Sequence, residues 1–275
     1  MEQLQFLFKI IGLGSASGLV YHNNTIVAVG DNSSFLYEYN ISTEKLERYP
    51  LQENAQENTP KKIKKDFEAI TQFEDTIYIF GSGSTENRNT MVQVDAKTKK
   101  VIATQDLSML YASMQSFGEI NPEDFNLEGA IYNGENWFLF NRSNGKKSKN
   151  AIFTISGKNL TDEFSILHNK FKLPKIKGVE TSFTDAILVG NQIYFLATAE
   201  ATESTYHDGE VLGSIIGQID VTKMKLKSHK IISKTNKLEG ITLVEETPET
   251  ISFLICEDND TEVLESNIYK ITLKK

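Results

Sequence analysis

Five times along the chain the same layout recurs: a polar residue, a glycine or alanine, a short strand-forming run, a turn, and a second, strongly apolar run. The segments are "ASGLVYHNNTIVAVGDN" from Ala16, "FEAITQFEDTIYIFGSG" from Phe67, "LEGAIYNGENWFLFNRS" from Leu127, "TDAILVGNQIYFLATAE" from Thr184 and "LEGITLVEETPETISFLICED" from Leu238. Their small residues are Gly18, Ala69, Gly129, Ala186 and Gly240, spaced by 51, 60, 57 and 54. A repeat of this length, built only of strands, buries its apolar faces by stacking on copies of itself.

A third alternating strand follows each pair ("FLYEYNIS", "NTMVQVDAKT", "NAIFTIS", "SIIGQIDVTK", "SNIYKITLKK"), and a fourth, more polar one follows in four of the five. The fifth repeat lacks its fourth strand because the chain ends at Lys275, whereas "LQFLFKII" stands unpaired before the first repeat. An N-terminal strand that completes the last sheet closes the ring and removes an exposed edge. The reading is therefore all-β: a five-bladed β-propeller in one domain over 1–275. Its blades run roughly over 12–51, 66–108, 126–174, 183–233 and 238–275, the last completed by strand 4–11. Six blades are the alternative, should a divergent blade hide in a long connection; no sixth apolar pair stands there.

Second strands such as "TIVAV", "NWFLF" and "TISFLI" are apolar on both faces, as burial between neighbouring blades requires. Trp137, with Phe138 and Phe140, is expected in such inter-blade packing. The small residues fit a crowded axis. In the connection between blades two and three, Leu107, Leu110, Met114 and Phe117 recur at near-helical spacing behind Asp106, predicting a short capped helix.

Ahead of the small residues stand Ser17, Glu68, Glu128, Asp185 and Glu239. A ring repeats strand geometry, so these are expected at equivalent depths around the channel. Four carboxylates there would repel one another and raise one another's pKa. A divalent cation held by Glu68, Glu128, Asp185 and Glu239 relieves this, and oxygen-only ligands suit Ca2+ or Mg2+. The competing reading has the acids bound to water, lysines or backbone amides of the next blade. Starts of first strands and ends of second strands share one face, which adds Asp31, Asp66, the "GSGS" of 81–84 and Arg142 to the pocket. Lys61, Lys62, Lys64, Lys65, Lys146 and Lys147 are expected at its rim. For catalysis the candidates are Glu128, Arg142 and His207.

Bulk properties restrict partners. A net charge of −8 over 275 residues argues against nucleic acid and anionic membranes. The single cysteine, Cys256, excludes a disulfide framework and reads as a small buried hydrophobe. No run spans a bilayer, and the N-terminus is a poor signal peptide, so a cytoplasmic monomer is expected, meeting a small molecule or protein at its loop face. "GLGSASG" lacks a βαβ context for dinucleotides, and "GSASG" has Ala16 where a nucleophile elbow needs serine.

"SASGLVYHNNTIVAVGDNSSFLYEYNI", "KKDFEAITQF", "FNLEGAIY" and "KLEGITLV" resemble the blades of the esterase-like phytase and SdiA-regulated propeller group, with its recurring Asp-x-Glu-Gly/Ala-hydrophobic motif. The whole chain also resembles an uncharacterised bacterial propeller family with no assigned activity. The resemblance implies a calcium-type channel site and ester or phosphoester hydrolysis, with Glu68, Glu128 and Glu239 as motif glutamates and Asp66 as leading acid. Asn126 and Lys237 replace that acid in blades three and five. Two functions follow: a propeller binding a divalent cation and a small ligand or partner, or a metal-dependent phosphoesterase or esterase. A sugar-binding or glycosidase-like propeller, using two of the acids as a pair, is a third class.

Overall fold

The computed structural model describes residues 3–142, 149–162, 164–201, 209–258 and 263–275. Five antiparallel four-stranded sheets follow one another along the chain, each a meander from inner to outer strand. Blade 1 comprises Ala16–His22, Thr25–Gly30, Phe35–Asn40 and Lys45–Pro50; blade 2 comprises Phe67–Phe73, Thr76–Gly81, Thr90–Asp95 and Val101–Asp106. Blade 3 runs through Leu127–Tyr132, Asn136–Asn141, Asn150–Ser156 and Ser165–Phe171, and blade 4 through Ser182–Val189, Gln192–Ala201, Glu210–Asp220 and Lys225–Ser233. Blade 5 takes Lys237–Glu246, Thr250–Asp258 and Glu265–Lys274 from the C-terminal end and Gln5–Ile11 from the N-terminal end. The closing pair is antiparallel, with Ile10 opposite Ser266 and Gln5 opposite Lys270. The inner strands of successive blades touch all the way round, the fifth returning to the first. The chain is thus a five-bladed propeller closed by its N-terminal strand.

Its core is five inter-blade cores rather than one. Between blades 1 and 2, Val27, Val29 and Leu36 pack on Ile70, Ile77 and Ile79. Between blades 2 and 3, Tyr78, Phe80 and Met91 meet Tyr132, Trp137 and Phe153. Equivalent clusters join blades 3 to 4, 4 to 5, and 5 to 1. This two-sided burial is why the second strands carry unbroken apolar runs. Trp137 is fully buried, stacked on Tyr132 and edge-on to Tyr78 and Phe80 of the preceding blade.

The helix, α1 (Ser108–Gly118), caps the blade 2–3 core with Leu110, Tyr111 and Met114, while Phe117 faces solvent. Asp106 accepts from the Ser108 amide at 2.8 Å, one residue earlier than a side-chain cap would stand. Cys256 is buried, as its surroundings in sequence imply.

The inner strands are tight at the axis. A Cβ added to Gly240 would lie 2.9 Å from the Gly18 Cα, and one added to Gly18 would lie 2.6 Å from Ile70 Cγ2. Each inner strand also carries a bulge at this level. Ser17, Glu68 and Glu128 are the extra residues in blades 1 to 3, and Glu239 with Gly240 fill the gap in blade 5. In blade 4 the extra residue is Thr184. Asp185 pairs with Leu196 as Gly129 pairs with Phe140, so it stands in the small-residue position, one step past its expected equivalence with the glutamates. A bulge shifts the inward-facing set by one residue without changing the repeat length, and so escapes a spacing comparison.

Candidate functional site

Two rings of polar residues line the loop-side end of the axis. The bulge residues make the first. The second lies one step outward, where each inner strand begins and each second strand ends. It pairs Ser15 with Asp31, Asp66 with Ser82, Asn126 with Arg142, Ser182 with Thr198, and Lys237 with Asp258. Backbone hydrogen bonds fix three of these pairs, from Asp31 N to Ser15 O, Ser82 N to Asp66 O and Arg142 N to Asn126 O. Ladder pairing sets Ser182 opposite Thr198 and Lys237 opposite Asp258.

On the blade 1–2 side, Asp31, Asp66 and Glu68 converge. One oxygen from each lies within 4.8 Å of the others, and among the described residues this is the one such group of three. Lys64 Nζ contacts Asp31 Oδ2 and Asp66 Oδ1, each at 2.6 Å. Arg88 Nη1 sits 2.6 Å from Asp66 Oδ2, which also accepts from Ser82 Oγ at 2.6 Å. Asp31 Oδ1 is buried with no hydrogen-bond partner among the described residues. Burial, reinforced by Glu128, Asp66 and Asp31, pushes the Glu68 carboxyl well above the usual range, and of its main charged neighbours only Lys64 is cationic. Burial likewise raises Asp31, against the pull of Lys64.

On the side of blades 3 to 5, Arg142 is the centre. Its side chain is 7% exposed, with Nη2 2.7 Å from Glu200 Oε1 and Nη1 3.2 Å from Glu128 Oε1 and 3.9 Å from Glu239 Oε1. Lys237 Nζ lies 2.9 Å from Asp258 Oδ2 and 3.5 Å from Glu239 Oε1. Asn126 donates to Glu128 Oε1. Burial pushes Glu128 up to about 7 even with Arg142 and Lys237 close by. Glu239 is driven well up by burial, opposed by Lys237, and its Oε2 has no hydrogen-bond partner among the described residues. For Glu200, burial is outweighed by Arg142 and Lys237, and the carboxyl falls below its ordinary value.

Asp185 is used differently. Its Oδ2 accepts from the Ile241 amide at 2.8 Å, tying blade 4 to blade 5, and Thr184 Oγ1 donates to Leu238 O at 2.7 Å across the same seam. This is the backbone-amide role weighed against metal ligation. Ser17 is buried and donates to Ser15 O within its own turn. Of the expected rim lysines, Lys61 and Lys62 are exposed and Lys65 donates to Asn87 O, but Lys64 lies at the centre of the acidic group. His207, Lys146 and Lys147 lie outside the described residues.

Among the described residues the hub therefore gathers eight carboxylates (Asp31, Asp66, Glu68, Glu128, Asp185, Glu200, Glu239, Asp258) around four tethered cations (Lys64, Arg88, Arg142, Lys237). Burial is the first cause of the raised carboxyls, and the neighbouring acids add to it. Arg88 had no signal in the repeat pattern. Lys237 did, since it occupies the leading-acid position of the motif, where a cation neutralises Glu239 instead of an acid joining it.

A model of the Family of unknown function (DUF6929) matches residues 12–273. Comparison with curated proteins returns no match. Among solved structures, glutaminyl cyclase from Myxococcus xanthus aligns with a TM-score of 0.55 at 12% identity, covering 100% of this chain and 98% of that one. The major allergen Mala s 1 of Malassezia sympodialis aligns at 0.54 and 7% identity, covering 100% and 96%. Likeness at such identities is one of fold, to propellers at large rather than to the phytase-like group in particular.

Proposed function

We propose, for this chain, which belongs to the Family of unknown function (DUF6929), that the propeller binds a divalent cation through Asp31, Asp66 and Glu68 and presents a small ligand or protein partner with the mixed-charge hub beside it. The observation that carries this reading is the approach of three carboxylate oxygens within 4.8 Å on two neighbouring blades. The donors are all hard oxygens, which suits Ca2+ or Mg2+ over thiophilic metals. The buried, unpartnered Asp31 Oδ1 adds an acceptor at the same place. Among the described residues, no helix is long and apolar enough to cross a membrane. Metal analysis and melting curves test the reading. Added Ca2+ or Mg2+ is expected to raise the melting temperature and chelator to lower it, and Glu68→Gln is expected to abolish the response. A metal-free protein whose melting ignores both additions would refute it.

A second reading, a metal-dependent esterase or phosphoesterase, draws on Glu128. A buried carboxyl titrating at about 7 beside a guanidinium is placed to take a proton near neutrality. A cation held nearby would polarise a carbonyl or phosphoryl oxygen. Arg142 would hold developing negative charge, and Glu200 would keep its guanidinium oriented. Chromogenic phosphate and acyl esters are expected to turn over with the wild type and at least 100-fold more slowly with Glu128→Gln. Equal rates in the two folded proteins would remove Glu128 from the chemistry.

A further inference from the structure

The Lys64 ammonium lies 2.6 Å from Asp31 Oδ2, 2.6 Å from Asp66 Oδ1 and 3.1 Å from Asn32 Oδ1. Its side chain is 8% exposed, buried among oxygens from two blades. Asp31 and Asp66 are two of the three carboxylates proposed to hold the cation. Resting on that reading of the site, we propose that Lys64 is a built-in competitor, and that a divalent cation binds Asp31, Asp66 and Glu68 by expelling the Lys64 ammonium into solvent.

Charge balance favours exchange over addition. Asp31, Asp66 and Glu68 carry −3 when ionised, and Arg88, paired to Asp66, contributes +1. A divalent ion brings this to zero if Lys64 leaves and to +1 if it stays. In a buried setting an uncompensated charge is the costlier outcome. Space argues the same way. Ca2+ or Mg2+ meets its oxygens at about 2.0–2.6 Å, and an ion that close to Asp31 Oδ2 and Asp66 Oδ1 would overlap the Lys64 ammonium, which lies 2.6 Å from each. Arg88 does not compete in this way, because it engages the other oxygen of Asp66.

The local fold permits the exchange with little rearrangement. The Lys64 amide donates to Pro60 O at 3.0 Å, and its carbonyl accepts from Asn87 Nδ2 at 2.9 Å. The backbone is pinned at both ends, so the side chain alone has to rotate. Lys61 and Lys62, on the same turn, are already exposed, so solvent borders the turn that carries Lys64. Asp31 Oδ1, buried without a partner, is an acceptor that Lys64 leaves unused and an ion would take up.

Titration calorimetry with CaCl2 and with MgCl2 on the wild type and Lys64→Met tests this. The variant is expected to bind at least tenfold more tightly. Wild-type binding with no gain in Lys64→Met overturns the competition while leaving the cation site standing. Binding by Lys64→Met alone supports the competition and refutes a resident cation in the natural protein. Binding by neither refutes both. Should Lys64→Met not fold, amine-reactive labelling of the wild type with mass-spectrometric readout replaces it. Saturating Ca2+ is expected to raise Lys64 labelling several-fold and leave Lys61 and Lys62 unchanged, and unchanged Lys64 labelling with bound Ca2+ overturns the proposal.

Discussion

Arg142→Met is expected to lower the unfolding free energy by about 3–5 kcal/mol at pH 8, the range found when one member of a buried ion pair is removed. The guanidinium serves Glu200 at 2.7 Å and Glu128 at 3.2 Å and stands 3.9 Å from Glu239. Methionine fills much of the stem volume and supplies none of the charge. Lys237 remains 3.5 Å from Glu239, but its closer partner is Asp258. Glu128 and Glu200 would then lose their ion-pair partner, leaving Lys237 as the cation that still acts on both.

The deficit should shrink in acid, and its sign follows from proton linkage. The Glu128 carboxyl is pushed from its ordinary 4.5 up to about 7. Between those values the folded chain holds a proton that the unfolded chain has lost, so stability falls as pH rises through that window. Glu200 behaves oppositely while Arg142 is present, because its folded pKa lies below the ordinary value and it contributes stability above that value. Removing Arg142 pushes both carboxyls upward, which cancels the Glu200 contribution and steepens the loss between pH 5 and pH 8. Urea unfolding at pH 5.5 and pH 8 measures both effects. Equal midpoints for variant and wild type at pH 8, or a larger deficit in acid, would show that Arg142 is not the hub's counter-ion.

The propeller was legible because its causes are periodic. Gly18 and Gly240 recur because the inner strands of blades 5, 1 and 2 approach too closely there for a side chain, as the 2.9 Å between a Gly240 Cβ and Gly18 Cα attests, whereas a Cβ at Gly129 would meet its neighbours at 3.4 Å. The runs around Ile77–Phe80 and Trp137–Phe140 are unbroken because a blade lies on each side. The stray N-terminal strand and the missing fourth strand of the last repeat imply each other. Such features depend on local geometry repeated five times, which a sequence preserves.

The hub was legible only in part, because its pairings are not periodic. Glu68, Glu128 and Glu239 were found by their place in the motif. Arg142 and Asp31 were placed in the same pocket, but the pairings were not legible, since Arg142 reaches Glu200 across 58 residues and Lys64 reaches Asp31 across 33. Lys64 reads as one of four lysines in "KKIKK", and only the fold turns it inward while Lys61 and Lys62 face out. Asp185 was set beside the glutamates because "FTDAI" satisfies the small-residue spacing through Ala186. The bulge at Thr184 moves it into the seam with Ile241, where it bonds a backbone amide. Charge pairing across blades and bulge position are both set in three dimensions, and neither leaves a spacing rule in one.

Deleting residues 1–11 is expected to abolish cooperative unfolding or to lower the midpoint severely, although more than half of the residues of its strand are exposed. Gln5–Ile11 supplies the fourth strand of blade 5, paired from Gln5 with Lys270 to Ile11 with Glu265. Each ladder hydrogen bond contributes about 1 kcal/mol net. The strand also buries Ile10 completely and stacks Phe8 on Tyr39 of blade 1. Together these approach the about 5–15 kcal/mol by which whole domains are stable. The loss is also topological. Without this strand, Glu265–Lys274 becomes an unpaired edge, open to aggregation. The blade 5–1 core, which contains Ile10 and Leu13 beside Leu254 and Cys256, loses part of one wall. Removing a blade's outer strand elsewhere would leave the ring joined by continuous chain, whereas here it unfastens the two ends. Urea unfolding of the shortened chain, with and without a synthetic peptide of residues 3–13, provides the measurement. The peptide is expected to restore much of the lost stability by pairing with the exposed edge. A shortened chain that unfolds at the wild-type midpoint, or a peptide without effect on a destabilised one, would mean that ring closure rests on the inner strands alone.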